Sequence, residues 1–234
     1  MRIPTEKEYC HERLGEQFRA AISKYDTQRR IEILVDKFLG RYRLQGRSVL
    51  EVGAGFGFFS ARIQCLGGVV TATDIGSRLV EQLRRTIRCR SECVDALSLI
   101  EYFGKETFDV VLSSECIEHT PDPLEAIAQM AGVLKPGGYL ALSTPNILWS
   151  PVVRLATIIN LRPFNGFENF SSFGEIRSTL QKCRVRVIEE FGIHLFPFQL
   201  PLHTASRWCD THLQCLRKLM INICILGQKE SLAE

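Results

Sequence analysis

Apolar positions recur along this chain in two rhythms. Between residues 5 and 43 they are sparse, but Ile31, Leu34, Val35 and Phe38 follow the i, i+3, i+4, i+7 spacing that makes one helical stripe. From residue 48 onward, short apolar runs of strand length alternate with helix-period segments. The strands are Ser48–Val52, Val69–Asp74, a weaker one ending at Cys93–Asp95, Phe108–Ser113 and Tyr139–Ser143. Between them lie helices over Phe58–Leu66, Arg78–Arg88 and Leu124–Leu134. Gly67 and Gly68 stop the first of these, Asp122-Pro123 opens the last as cap and first-turn proline, and Lys135–Gly138 breaks it. Strand and helix in alternation predict a parallel sheet with helices on both faces, and right-handed crossovers make it doubly wound.

After Pro145 the rhythm lapses. Ser150-Pro151 opens an apolar helix through Leu161, Arg162–Gly166 reads as a loop, and Phe173–Lys182 is helical. Arg184–Glu190 alternates like a strand and Met220–Gly227 is a further apolar strand, with 191–219 connecting them. Two late strands outside the alternation predict an antiparallel pair at the sheet edge, with helical insertions over the carboxyl ends of the strands.

Composition narrows the class. The chain has 234 residues, 45% of them hydrophobic and 24% charged, with 14 phenylalanines, which excludes a disordered chain. A net charge of +3 is too small to argue for nucleic acid. No window approaches the ~18–20 apolar residues of a membrane span, and Met1–Glu8 has no signal-peptide character, so a soluble, cytoplasmic protein is expected. Nine cysteines are an odd count without a paired CxxC set, which reads as free thiols rather than a disulfide or zinc framework.

The chemistry concentrates at Glu51-Val52-Gly53-Ala54-Gly55-Phe56-Gly57, between a strand and a helix. Glycines there let the chain turn tightly and a ligand approach without a Cβ in the way. The dinucleotide fingerprint wants its third glycine three residues after the second, where this chain has Phe58; Gly57 comes one residue early. Asp74 ends the next strand, where a carboxylate would grip ribose hydroxyls. The displaced glycine and the late antiparallel pair argue against a nucleotide-binding oxidoreductase.

These segments together resemble the seven-strand, class I S-adenosylmethionine-dependent methyltransferases. The likeness is close over residues 45–146 and includes Phe108–Val111 and Leu134–Tyr139. Within that class, Glu115-Cys116-Ile117-Glu118-His119-Thr120-Pro121-Asp122-Pro123 is similar to the ubiquinone-biosynthesis O-methyltransferase group. The resemblance implies a mostly parallel seven-stranded sheet in one methyltransferase domain, 1–234. Its parts would be an amino-terminal helical cap (1–44), a cofactor-binding half (45–146), a substrate or lid region with the sixth strand (147–219), and a last strand and tail (220–234). It implies cofactor contacts from Glu51, Gly53, Ala54, Gly55 and Gly57 of the loop, from Asp74 and Ile75 at the ribose, and from Asp95 and Ala96 at the adenine. Ser114 would face the methionine portion, with Arg30 opposite its carboxylate, and Ser113 would be a further cofactor contact.

Methyl transfer needs a base only when the acceptor must lose a proton. Glu115, Glu118 and His119 share one face if a helix begins there. His119 is the first candidate base and Glu115 a second catalytic candidate, because imidazole titrates near neutrality. The resemblance adds an alternative, a divalent metal held by Glu115, Glu118 and His119 that would lower a hydroxyl's pKa. A third reading makes these residues hydrogen-bonded loop groups.

Phe164, Phe167, Phe170 and Phe173, with Phe196 and Phe198, suit a small apolar or aromatic acceptor, and equally an ordinary core. Trp149 and the helix carrying Val152, Val153, Leu155, Ile158 and Ile159 read first as buried packing, with peripheral membrane contact as the alternative. The expected function is therefore methylation of a small molecule, at oxygen. An RNA 2′-O-methyltransferase and an inactive cofactor-binding scaffold are the alternatives, the first disfavoured by the absence of an aromatic-basic RNA surface.

Overall fold

A computed structural model describes residues 24–158 and 168–231. The first helix, α1, is Lys24–Ile31 and runs on as a wider π-turn segment, Glu32–Phe38. Then follow β1 (Ser48–Val52), α2 (Phe58–Cys65), β2 (Val69–Asp74), α3 (Ser77–Thr86), β3 (Arg90–Cys93), α4 (Leu99–Phe103), β4 (Phe108–Ser114) and α5 (Pro123–Val133). The remainder comprises β5 (Leu134–Pro145), α6 (Ser150–Ile158), α7 (Phe173–Lys182), β6 (Val185–Ile193), α8 (His203–His212) and β7 (Asn222–Lys229).

The seven strands form one sheet in the order β3-β2-β1-β4-β5-β7-β6. All pairings from β3 to β5 are parallel, and β7 pairs antiparallel with both β5 and β6. The late strands thus lie at the edge, as the lapse in rhythm predicts, with the reversed strand inserted one place in. Strand order turns back between β1 and β4, where ligands bind in open α/β sheets, beyond the carboxyl ends.

Period-two alternation sends neighbouring strand residues into opposite cores. Val49 and Leu112 pack with Ile31, Leu34, Val35 and Phe38 of the first helical segment and with Phe59, Ile63 and Leu83 of α2 and α3. Leu50 and Val111 pack on the other face with Ala126 and Met130 of α5 and Ile176 and Leu180 of α7. The predicted helical stripe is therefore a core stripe. Asp122 caps α5 as expected, its carboxylate accepting from Leu124 N–H at 3.1 Å and Glu125 N–H at 3.0 Å.

Two helices add to the expected pattern, and one expectation needs correction. The connection after β6 contains a helix, α8, whose short apolar spacing was lost among polar residues. The helix α4 also escaped the sequence pattern, since five residues give only one buried position, Leu99. The largest departure is α6: the expected buried packing is absent among its described residues, none of which is buried. Val152, Leu155 and Ile158 stand open, Ile158 at 76%. Ile159, Phe164 and Phe167 lie outside the described residues.

Candidate active site

The loop after β1 is built by three glycines at positive φ, Gly53 (73°), Gly55 (52°) and Gly57 (77°). Each does something different. A Cβ on Gly53 would stand 2.4 Å from Cys116 Sγ, so this glycine lets the β4 loop close onto the β1 loop. Gly57 caps α2 in the left-handed conformation, and a Cβ there would meet Leu83 and Ile87 at 2.7 Å. At Gly55 a Cβ would meet nothing within 4 Å. That open space in front of a backbone turn is a cradle a side chain would fill, which fits a ligand approaching the main chain.

Asp74 fixes the loop. One carboxylate oxygen accepts from Gly55 N–H and the other from Gly76 N–H, both at 2.9 Å. An ionised carboxylate offers about four acceptor directions, so these bonds use one on each oxygen. Ile75 follows directly, and Val94 N–H bonds Asp74 O at 3.1 Å, which places Asp95 and Ala96 at the adjoining strand end. Asp95 Oδ1 accepts from Leu97 N–H at 2.9 Å, turning the chain towards α4. Ala54 is tied by its N–H to Thr73 O at 2.8 Å. Glu51 sits behind the loop, only 2% exposed, and accepts from Ser60 Oγ. Burial pushes its carboxyl up to about 8 against that hydrogen bond, with the charge of Asp74 adding to the rise.

A second group assembles at the end of β4. Ser113 Oγ bonds Val52 O at 3.0 Å and is fully buried. Ser114 Oγ receives Arg30 Nη1 at 2.7 Å and lies 2.9 Å from Ser143 Oγ. Ser143 Oγ donates to Glu115 Oε1 at 3.1 Å, and Asn222 Nδ2 donates to Glu115 Oε2 at 2.8 Å. Glu115 itself adopts φ 52°, a left-handed conformation that costs a side-chain-bearing residue energy and clusters at functional sites. Burial raises its carboxyl to about 7; the neighbouring Glu118 adds to the rise and Arg30 opposes it.

The positive φ at Glu115 also undoes the predicted shared face. The turn that follows, Ile117–His119, is a 3₁₀ turn, and Glu115 precedes it. Glu118 is buried with Oε2 accepting from Thr144 Oγ1 at 3.1 Å, while His119 is one-quarter exposed with Nε2 3.8 Å from Glu118 Oε1. Among the described residues no three His, Cys, Asp or Glu side chains gather as a metal site. The expected Glu115, Glu118 and His119 metal set is therefore not gathered in the described structure, where Glu115 and Glu118 accept from separate donors.

The structure thus brings the glycine loop, Asp74, Ile75, Asp95, Ala96, Ser113, Ser114 and Arg30 to one end of the sheet. It adds residues that the sequence reading missed: Ser143, Asn222, Asp26, His194 and Asp210. Asn222 carried a signal, a polar residue opening an apolar strand. Cys116 is half-buried against the core and its thiol is pushed up, mainly by desolvation, which disfavours the thiolate a nucleophile needs.

A glycine loop after β1, an acid after β2 and one reversed strand in a seven-stranded sheet define a class, and comparison agrees. Residues 50–142 match the family described as methyltransferase domain. The chain is 32% identical over 196 residues to a ubiquinone biosynthesis O-methyltransferase of Xanthomonas campestris pv. campestris, covering 80% of this chain and 82% of that protein. This chain belongs to the class I S-adenosylmethionine-dependent methyltransferases. Among solved structures, an S-adenosylmethionine-dependent methyltransferase from Methanosarcina mazei superposes with TM-score 0.63 at 19% identity, over 83% of this chain and 97% of that one. The [4+2]-cyclase SpnF also superposes, with TM-score 0.62 at 16% identity over 87% and 82% of the two chains, so this fold does not fix the reaction. Membership sets aside the oxidoreductase reading.

Proposed function

We propose that this protein methylates a hydroxyl oxygen on a small apolar or aromatic acceptor. The observation that carries this reading is Glu115, a half-buried carboxyl held at the end of β4, one residue beyond Ser114, by Ser143 and Asn222 and raised to about 7. The name carried by the Xanthomonas relative supports oxygen as the atom methylated.

The glycine loop and Gly55's open approach would seat the cofactor, with Asp74 and Ile75 at its ribose, Asp95 and Ala96 at its adenine, and Ser114 and Arg30 at its methionine end. Bound S-adenosylmethionine supplies a sulfonium methyl, and the S–CH₃ bond breaks as the O–CH₃ bond forms. Glu115 takes the hydroxyl proton, and Ser143 and Asn222, each donating to one of its oxygens, hold the carboxyl in place. Because the carboxyl titrates near 7, it is basic enough to accept a proton and still partly ionised at neutral pH. His119, one-quarter exposed on the 3₁₀ turn that follows, is the alternative base. No step runs through a metal, since the three expected ligands are not gathered. No described helix is long and apolar enough to cross a membrane. The open apolar side chains of α6 support contact with an apolar acceptor or with a membrane surface holding one.

The test is a rate–pH profile on phenolic acceptors with labelled methyl donor. The wild type is expected to gain rate as pH rises through about 7. Glu115→Gln should abolish that limb and lower turnover ~10²–10⁴-fold while S-adenosylhomocysteine affinity holds. A limb lost in His119→Ala and kept in Glu115→Gln would transfer the role to His119.

A further inference from the structure

The buried polar groups around α1 are not accounted for by loop, ribose or acceptor. Asp26 and Arg30 lie one turn apart on α1, and Arg30 donates to Asp26 Oδ2 through both Nε (3.2 Å) and Nη2 (2.8 Å). That fork leaves Nη1 as the end directed at Ser114, 2.7 Å away. A guanidinium carries two protons on Nη1, and Ser114 takes one. The other carboxylate oxygen of Asp26 is 2.9 Å from Nε2 of His194, a residue 168 positions away and fully buried.

His194 is held from several sides. It follows β6 at φ 64°, its N–H donates to Asp210 Oδ1 of α8 at 2.8 Å, and its carbonyl accepts from Ile221 N–H at 3.0 Å. Its ring lies between Tyr25 and Phe198, centroids 5.6 and 5.2 Å away. Asp210 Oδ2 in turn accepts from Arg29 Nε at 3.3 Å, binding α8 to α1 a second time. A strained backbone, a buried imidazole and a carboxylate shared between it and an arginine are costly to keep as mere packing. The two groups bonded to Asp26 bear on its ionisation as well: burial would raise its carboxyl, but the charge of Arg30 and the His194 hydrogen bond bring it down to about 2. Asp26 is therefore anionic throughout the working range, and an anionic partner selects the His194 tautomer that carries its proton on Nε2.

We propose that Asp26 and His194 are positioning residues which aim the Nη1 edge of Arg30 at the carboxylate of the cofactor's methionine end. This rests on the reading that Arg30 meets that carboxylate. Asp26 sets the rotation of the guanidinium about Nε, and His194 sets the carboxylate plane of Asp26. The cofactor's amino-acid end is thereby held by the segment following β6, which lies across the sheet from the glycine loop.

The test compares two ligands that share adenosine. S-adenosylhomocysteine has the amino-acid end and 5′-methylthioadenosine lacks it. Calorimetry on Asp26→Asn and His194→Leu should show S-adenosylhomocysteine weakened about ten- to a hundredfold, with 5′-methylthioadenosine within about twofold of wild type. His194→Gln, which restores a donor near the Nε2 position, should recover most of the lost affinity. Equal losses for both ligands would overturn the proposal and make the pair purely structural, as would a His194→Gln variant as weak as His194→Leu. If His194→Leu does not fold, Asp26→Asn and His194→Gln decide the matter by the same ratio of affinities. Failure of the underlying reading shows differently: wild-type protein would then bind the two ligands equally, or Arg30→Met would leave their ratio unchanged.

Discussion

Replacing Asp74 by alanine separates its loop contacts from the ribose contact proposed for it. In the free protein it tethers two backbone N–H groups, from Gly55 and Gly76, each at 2.9 Å. Hydrogen bonds to a charged group contribute about 1.5–3 kcal/mol when fully buried. Asp74 is half-buried, so water takes over part of each, and about 1 kcal/mol per bond is the better figure. The expected loss of stability is about 2 kcal/mol, and for a chain of this length that lowers Tm by about 4–8 °C. Binding should suffer separately, because the ribose hydroxyls lose their acceptor: about 3 kcal/mol for two bonds, or more than about a hundredfold in Kd. Thermal unfolding with and without S-adenosylhomocysteine, together with calorimetry, reads both effects. A lowered Tm with unchanged affinity would refute the ribose role and leave Asp74 as a loop tether. An unchanged Tm would refute the tether.

Gly57→Ala should destabilise the protein by about 1–3 kcal/mol in urea titration, since the left-handed cap and the approach to Leu83 and Ile87 both resist a methyl group; a neutral result would mean α3 shifts freely. Glu51, raised from 4.5 to about 8, keeps its proton in the fold where the unfolded chain has lost it. Stability should therefore decline as pH rises from about 4.5 through 8, and Glu51→Gln should flatten that slope in Tm measurements. Asp26 has the opposite sign: its carboxyl, lowered to about 2, contributes stability above pH 3.8 that is lost as pH falls through 2, a loss Asp26→Asn should remove. Chelator-treated enzyme should retain its turnover, and recovery of a lost rate by an added divalent ion would restore the metal reading of Glu115, Glu118 and His119.

What the sequence made legible was governed by local rules. The glycine loop, the acid after β2, the Asp122 cap and the strands β1, β2 and β4 each leave a mark in the residue types and spacing of their own segment, so the pattern exposes them even where their contacts are distant. Phe173–Lys182 matches the expected helix to the residue, and the structure adds the Ser172–Glu175 capping box that fixes its start. Arg30 was reached only through the resemblance, since no local rule sends a helix residue to a strand end 84 positions away. Asp210 and His194 were out of reach for the same reason, and Asn222 showed only as a polar residue in an apolar strand: their partners are Arg29, Asp26 and Glu115, each on a distant element. The shared face expected for Glu115, Glu118 and His119 failed because helical spacing was assumed for a residue that the fold holds in a left-handed conformation. For α6 the error was to equate apolar with buried.

Inserting β7 between β5 and β6 has a consequence for the order in which the molecule can be made. Synthesis delivers β1 to β5 first, and these can pair among themselves as a five-stranded parallel sheet. The outer side of β5 then has no partner, because the next strand to emerge, β6, bonds only to β7. For the time it takes to add the residues between β5 and β7, a long and largely apolar edge stays open to other chains, the condition in which nascent proteins aggregate or engage chaperones. The same late strand carries Asn222 to Glu115, so a ribosome-bound chain that has already formed its glycine loop still lacks one of the two donors on that carboxyl.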